Sequence, residues 1–301
     1  MAQPSPQPGP VVFDRRLLRA RRARALALGP TAFLLERAAD DLAERLATVL
    51  RRFDRAVDLG TPTDIVSRVL GASGKVGTVV HAADGRGGGS FALAADEEAL
   101  PFADGSLDLV VSALSLQFVN DLPGTLVQIR RALRPDGLFL AALLGGDTLT
   151  ELRQAFAAAE AEIDGGISPR VAPFADVRDM GGLLQRAGFA LPVTDVDRVT
   201  VRYASPLALM HDLRRMGATN PLAERSRHPL KRRTLQRMLE IYGVRFADPD
   251  GRVRATFEII WLSGWGPHES QQKPLAPGSA QQRLADALGV KEMRAGDKAG
   301  R

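Results

Sequence analysis

Three acidic residues close three successive apolar runs. They are Asp58 in Ala56-Val57-Asp58-Leu59-Gly60, Asp84 after a run over residues 75–82, and Asp96 after the short run 91–94. At the carboxyl ends of parallel strands such residues border one ligand crevice. Gly60 lets the backbone approach a ligand, and a helix beginning just beyond it offers unpaired N–H groups. A carboxylate after the second strand, here 24 residues past Gly60, suits the two hydroxyls of a ribose. One after the third strand can accept from an exocyclic adenine amine. Aspartates also close strands as plain turn formers, so the ordered set carries the inference: an adenosine-containing ligand.

Other chemistries have little material. The chain has no cysteine and four histidines, His81, His211, His228 and His268. That removes disulfides, thiolate metal sites and a cysteine nucleophile, and no His-rich site is expected. His211-Asp212 and His268-Glu269 are adjacent pairs, and adjacent helix residues do not face each other. No Ser-His-Asp order and no metal-ligand pattern is visible. Forty Lys and Arg against 35 Asp and Glu leave a net charge of +5. The arginines are concentrated between Arg15 and Arg24 and again between Arg225 and Arg237. The first cluster reads as a contact for an acidic partner or an anionic membrane surface, or as a solvated helix face. Neither cluster interleaves aromatics, so no nucleic-acid partner is expected. No apolar run approaches the roughly 20 residues that span a bilayer. Met1 to Pro10 is Pro/Gln-rich without an apolar signal core, so secretion is not expected.

The elements that must place these acids read as strand and helix in alternation, which implies a parallel sheet and an α/β fold class. A disordered tail (1–10) and a helical lead (11–55) precede a domain over 56–287, and a second disordered tail covers 288–301. The lead holds helices over 13–28 and 31–53, the latter with Leu34, Leu35, Ala38, Leu42 and Leu46 on one face. Strands are expected at 56–59, 75–82, 91–94, 107–112 and 138–144, then at 193–203 and 256–262. Pro123 starts a helix that Arg134-Pro135-Asp136-Gly137 stops. Residues from about 146 to 176 form an insertion over the substrate, in which Asp147 and Thr148 are placed to cap a helix running to about Ile163. At the corner after Gly60, Thr61 reads as an N-cap, Pro62 as N1 and Asp64 as N3. This capping-box-like arrangement would satisfy the loop's own N–H groups. The glycine-rich residues 85–90 lack the Gly-Lys-Ser/Thr ending of a P-loop and read as a flexible replacement for a helix start.

Asp58-Leu59-Gly60, Asp84, Ala95-Asp96-Glu97-Glu98-Ala99-Leu100-Pro101-Phe102, Asp108-Leu109-Val110-Val111-Ser112 and Leu133-Arg134-Pro135-Asp136-Gly137 resemble, in order, the motifs of class I S-adenosylmethionine-dependent methyltransferases. Three further stretches resemble one subgroup: Ser115-Leu116-Gln117-Phe118-Val119-Asn120-Asp121-Leu122-Pro123, Gly145-Gly146-Asp147-Thr148-Leu149-Thr150-Glu151-Leu152-Arg153 and His268-Glu269-Ser270-Gln271. That subgroup is the mitochondrial respiratory complex I assembly factor 5, an arginine hydroxylase, with its bacterial relatives. More distantly the chain is similar to the malonyl-carrier-protein methyltransferase of biotin synthesis. The resemblance runs over about residues 13–287.

It implies a Rossmann-like sheet of seven strands with one antiparallel strand, and S-adenosyl-L-methionine as cofactor. The implied cofactor residues are Asp58, Gly60, Asp84, Asp96 and Ser112, with Asp84 on the ribose and Asp96 on the adenine. The implied substrate residues are Gln117, Asp147, Arg153 and Arg170. The implied role is methylation or arginine hydroxylation of a NADH dehydrogenase subunit during complex I assembly. The implied place is a bacterial cytoplasm, peripheral to the inner membrane through Arg15 to Arg24, or the mitochondrial matrix. The chain departs from the family in three places, one of them the glycine-rich residues 85–90 that replace the expected helix start after Asp84. Thr61-Pro62-Thr63-Asp64 replaces a glycine-rich turn, and Gln117 stands where the family has His. Glutamine can orient a ligand but is no base near neutral pH. Two other readings stand beside this one. The first is a non-catalytic assembly factor with a degenerate cofactor loop. The second is a methyltransferase of a small molecule or carrier protein, for which Arg153 and Arg170 suit a carboxylate or phosphate bidentately.

Overall fold

Central strands buried on both faces need helices on both sides, and the alternation of their side chains assigns those helices to layers. The computed structural model describes residues 10–84, 91–272 and 289. Apart from Pro10 and Gly289, the expected tails and the loop at 85–90 lie outside the described residues. Seven strands form one sheet: β1 (Phe53–Leu59), β2 (Val76–Ala83), β3 (Ala92–Ala94), β4 (Leu107–Ala113), β5 (Leu133–Leu144), β6 (Ala190–Tyr203) and β7 (Val253–Trp265). Their order is β3-β2-β1-β4-β5-β7-β6. The first five run parallel, and β7 is antiparallel to both β5 and β6.

Ala56 of β1, Leu109 and Val111 of β4, and Leu138, Leu140 and Ala142 of β5 point to one face. There they meet α2 (Phe33–Thr48), α3 (Ile65–Ala72), α5 (Thr150–Ile163), α7 (Pro206–Arg215) and α8 (Arg232–Phe246). Val57, Leu59, Val110, Phe139, Ala141 and Leu143 point to the other face, against α4 (Leu122–Ala132) and α6 (Val177–Arg186). The remaining helix, α1 (Arg15–Ala27), precedes the sheet in sequence. Leu34, Leu35, Ala38, Ala39, Leu42 and Leu46 make the apolar stripe of α2, spaced as an amphipathic helix requires. Among the described residues no helix is long and apolar enough to cross a membrane.

Two local expectations change. Asp147 and Thr148 do not cap α5. That helix follows Leu149, which sits at φ +57° with no side-chain cap. Thr148 is buried instead and both donates to Glu258 O and accepts from Glu258 N–H, at 3.1 Å each. The antiparallel β7 thus claims the hydroxyl that a free helix end would have used. The stretch read as stopping α4 is already strand: β5 begins at Leu133, and Gly266 N–H donates to Gly137 O at 2.7 Å.

The chain divides into two compact units at Pro267, and the sheet belongs to the first. In the second, His268 N–H donates to Gln271 Oε1 at 3.2 Å.

The α2 stripe gives a stability prediction. Leu42 is 2% exposed, so Leu42→Ala should cost about 2–5 kcal/mol through lost transfer energy and a residual cavity. Urea denaturation should report a lower midpoint at an unchanged slope.

Candidate functional site

β1, β2 and β4 end where the strand order reverses, between β1 and β4, which is where open α/β sheets take ligands. Asp58 is fully buried there. Its Oδ2 accepts from Ser67 N–H at 3.1 Å and Ser67 Oγ–H at 2.7 Å, and lies 3.0 Å from His81 Nδ1. Ser67 comes from the first turn of α3, and His81 is the β2 residue in register with Asp58. Asp58 Oδ1 has no partner. Asp84 Oδ2, Ser112 Oγ and Gln117 Oε1 are likewise buried without a hydrogen bond. A buried polar atom left unpaired costs about 1–3 kcal/mol. Four such oxygens lie near the ends of three neighbouring strands, where amine and hydroxyl donors of a ligand would satisfy them. Gly60 sits at φ +72°, and a Cβ there would come within 2.6 Å of Glu97 Oε1 and Ser115 Oγ. Only glycine fits this turn.

The corner is not self-capped. Asp64, not Thr61, occupies the N-cap position of α3, and no side chain caps it. Thr61 is buried, and its hydroxyl accepts from Ala113 N–H at the end of β4, at 3.2 Å. Asp64 pairs with Arg68 at 3.2 Å. The capping box fails because Thr61 is drawn across the sheet edge before the helix begins. With it goes the main reason to regard this corner as closed to ligand.

Helix α1 covers the acids. Asp14 N–caps it through Leu17 N–H at 2.9 Å. Phe13 anchors its start by an edge-to-face contact with Phe118 at 5.7 Å and by donating its N–H to Asn120 Oδ1 at 2.7 Å. Arg15 reaches Asp96 (2.9 Å), Glu97 and Glu98 (3.3 Å), Arg19 reaches Asp96, and Arg22 donates to Ser115 Oγ at 3.2 Å. Arg21 donates to the Thr219 and Asn220 carbonyls. Four arginines of the cluster therefore face inward, and only Arg16 and Arg24 are exposed. Nothing supports the expected membrane contact through Arg15 to Arg24: Arg15, Arg19, Arg21 and Arg22 are engaged within the chain, and Arg16 and Arg24 remain at the surface. Burial opposes ionisation of Asp96, but the Glu98 N–H and the Arg15 and Arg19 guanidinium groups outweigh it and hold its carboxyl below the usual range. Arg22 goes the other way. Burial lowers its pKa, and Glu97 and Asp84 only partly restore it.

Beside the corner lies a cavity of about 320 Å³ walled by α1, α2, the start of α5, the 170–174 segment and α7. Its walls are largely apolar, with Arg21, Arg22, Arg170, Arg215 and Arg225 among them, and Pro62, Thr63 and Gln117 form the boundary with the corner. Of the residues expected to meet substrate, Gln117 and Arg170 line this cavity; Asp147 and Arg153 do not. Asp147 pairs with Arg198 of β6, and Arg153 donates to the Gly146 and Thr148 carbonyls at 3.3 Å each. Arg170 is held by the buried Glu160 at 2.6 Å. Among the described residues, no group of three His, Asp or Glu side chains could hold a metal ion.

The sequence reading missed Ser67, His81, Glu97, Arg15 and Arg22 as parts of the site. One signal was available: Arg15, Arg19 and Arg22 fall at i, i+4 and i+7, one face of a helix, and the chain offers Asp96-Glu97-Glu98 to match them.

Residues 58–141 match the family described as "Methyltransferase domain". The arginine hydroxylase NDUFAF5, mitochondrial, of Danio rerio is 37% identical over 94% of this chain and 91% of its own length. The malonyl-[acyl-carrier protein] O-methyltransferase of Halorhodospira halophila is 35% identical over 94% of this chain and 97% of its own. Among solved structures, the YcgJ protein of Bacillus subtilis superposes with a TM-score of 0.51 at 12% identity, over 76% of this chain and 98% of its own, a likeness of fold.

The α1 clamp predicts a pH dependence. Asp96 is ionised more readily in the folded chain than its ordinary value of 3.8, so its contribution is full above that value and is lost as pH falls through the lowered one. The urea-midpoint gap between wild type and Asp96→Asn should be steady above pH 3.8 and shrink below it. A gap that widens in acid would contradict the clamp.

Proposed function

We propose a function from one premise: this chain belongs to the family that contains the arginine hydroxylase NDUFAF5 and malonyl-[acyl-carrier protein] O-methyltransferase. It has the methyltransferase fold. We infer that it binds S-adenosyl-L-methionine at the reversal of strand order and modifies an arginine of a NADH dehydrogenase subunit during complex I assembly.

The observation that carries the cofactor is the set of unpaired buried oxygens. Asp84 Oδ2 would accept from a ribose hydroxyl and Asp58 Oδ1 from the amino group of the methionine end. Ser112 Oγ and Gln117 Oε1 offer two more polar contacts, and Asp96 would take the adenine amine. Ser67 and His81 fix the Asp58 carboxylate so that one oxygen is left for ligand. Gly60 brings bare backbone to the same place. When bound, the cofactor supplies an electrophilic sulfonium methyl group, and the protein's part is then chiefly positioning. Gln117, on the wall shared with the cavity, orients a substrate group by hydrogen bonds and takes no proton. The apolar cavity and the helix above it keep water from the meeting point.

A second reading draws on the arginines of the cavity wall, which suit an acyl carboxylate such as that of a malonylated carrier protein.

Two measurements test the proposal. Calorimetric titration with S-adenosyl-L-methionine should give a binding isotherm for wild type that is weakened at least tenfold in Asp84→Ala; no heat at millimolar ligand would remove the cofactor. Mass spectrometry of the NADH dehydrogenase subunits from wild-type and deletion cells should find one arginine heavier by an oxygen or a methylene in wild type only. Unchanged arginines, together with methylation of a malonylated carrier in vitro, would transfer the assignment to the second reading.

A further inference from the structure

The corner and the cavity meet at a guanidinium group. Arg22 lies along the cavity wall, and its guanidinium ends between Ser115 Oγ (3.2 Å) and Glu97 Oε1 (3.8 Å), close enough to Asp84 to be acted on by that charge. Glu97 is 7% exposed, and its two oxygens have different partners. Arg15 holds Oε2, while Oε1 accepts from Ser115 Oγ–H at 2.9 Å and faces Gly60 and Arg22. We propose that this junction is a guanidinium subsite for an arginine side chain of a polypeptide substrate, built from Glu97 and Ser115, and that Arg22 of the chain's own α1 stands in for that arginine.

Three features of the junction support this assignment. First, a guanidinium there has directed acceptors, a carboxylate oxygen and a hydroxyl that itself hands a proton to that carboxylate. Second, the described residues lining the cavity include no Asp or Glu, so a guanidinium that enters from that side meets its first carboxylate at the junction. The apolar walls suit the three-carbon stem of arginine, which packs on such surface while the head group pairs. Third, Arg22 is a poorly compensated occupant. Burial and the neighbouring Arg15 and Arg19 oppose its charge, and its contact with Glu97 Oε1 is long, at 3.8 Å. In its present place Arg22 is an internal mimic that excludes substrate. The subsite deepens the arginine-modifying reading and rests on it for biological role. The junction adjoins the corner proposed for the cofactor, through Gly60 and Asp84, so its test is run without cofactor.

The probe is N-acetyl-L-arginine amide, titrated by calorimetry into the full chain without cofactor. Arg22→Ala should bind it at least tenfold more tightly than wild type. Adding Glu97→Gln to Arg22→Ala should remove the gain, and the citrulline analogue, neutral but of the same shape, should show none. If Arg22→Ala proves misfolded by circular dichroism, Arg22→Gln keeps part of the stem without the charge and should show the same gain. A folded Arg22 variant with no gain, or equal binding of the citrulline analogue, would overturn the subsite. Because cofactor is absent, loss of S-adenosyl-L-methionine binding in the earlier titration would leave this result standing, and the reverse holds equally.

Discussion

Carboxylates crowded at one sheet edge repel one another unless donors or cations reach them, and this chain gathers Asp58, Asp84, Asp96, Glu97 and Glu98 at one edge. The compensation comes in two forms. Asp58, wholly buried, is held by a serine and a histidine, short contacts that also leave one of its oxygens unused. Asp96, Glu97 and Glu98 are met by long arginine side chains from α1. Partly buried ion pairs are worth having only when the geometry is good and further hydrogen bonds complete them. The Glu98 N–H on Asp96 and the Ser115 hydroxyl on Glu97 supply that completion. The position of α1 and the inward turn of Arg15, Arg19 and Arg22 meet this need.

Most of the scaffold was legible from the chain itself. Apolar runs of four to eight residues bounded by acids and glycines mark the parallel strands, and the ordered acids read as one sheet edge. What was not legible depends on contacts between distant residues. Thr61 reads as a cap because Pro62 follows it, yet its hydroxyl is taken by Ala113 of a neighbouring strand. Asp147 and Thr148 read as a cap for the same local reason, and antiparallel β7, more than a hundred residues away, takes the threonine. A capping signature states only that a hydroxyl can bond a nearby N–H. It carries no information about competing donors brought in by the sheet.

The arginine cluster is the clearest case of a charge pattern whose meaning the fold reverses. Dense arginine on a short helix is most often a solvated face or a surface-binding one, since charged side chains rarely bury. Here Arg15 and Glu97 are 82 positions apart, so nothing local announces the pairing. Only complementarity of spacing hints at it, three arginines on one helical face against three consecutive acids at a strand end. Such pairing removes a cation and an anion together, so the net charge of +5 stands while fewer arginines of α1 reach the surface.

One helix consequently borders two compartments. Arg15 and Arg19 sit on Asp96, the acid expected to read adenine, while Arg21, Arg22, Ala25 and Leu26 of the same element line the cavity. A rigid helix cannot vacate one without disturbing the other. If a ligand that competes for Asp96 shifts Arg15 and Arg19, which share α1 with Arg22, the two compartments are coupled. By the reciprocity of linked equilibria, a group that displaces Arg22 from Glu97 would then ease access to Asp96 to the same degree. The size of that coupling is bounded by the ion pairs that break. Those of Asp96 are half-exposed and individually modest, whereas those of Glu97 are nearly buried. The greater part of any coupling between the two compartments therefore resides in Glu97.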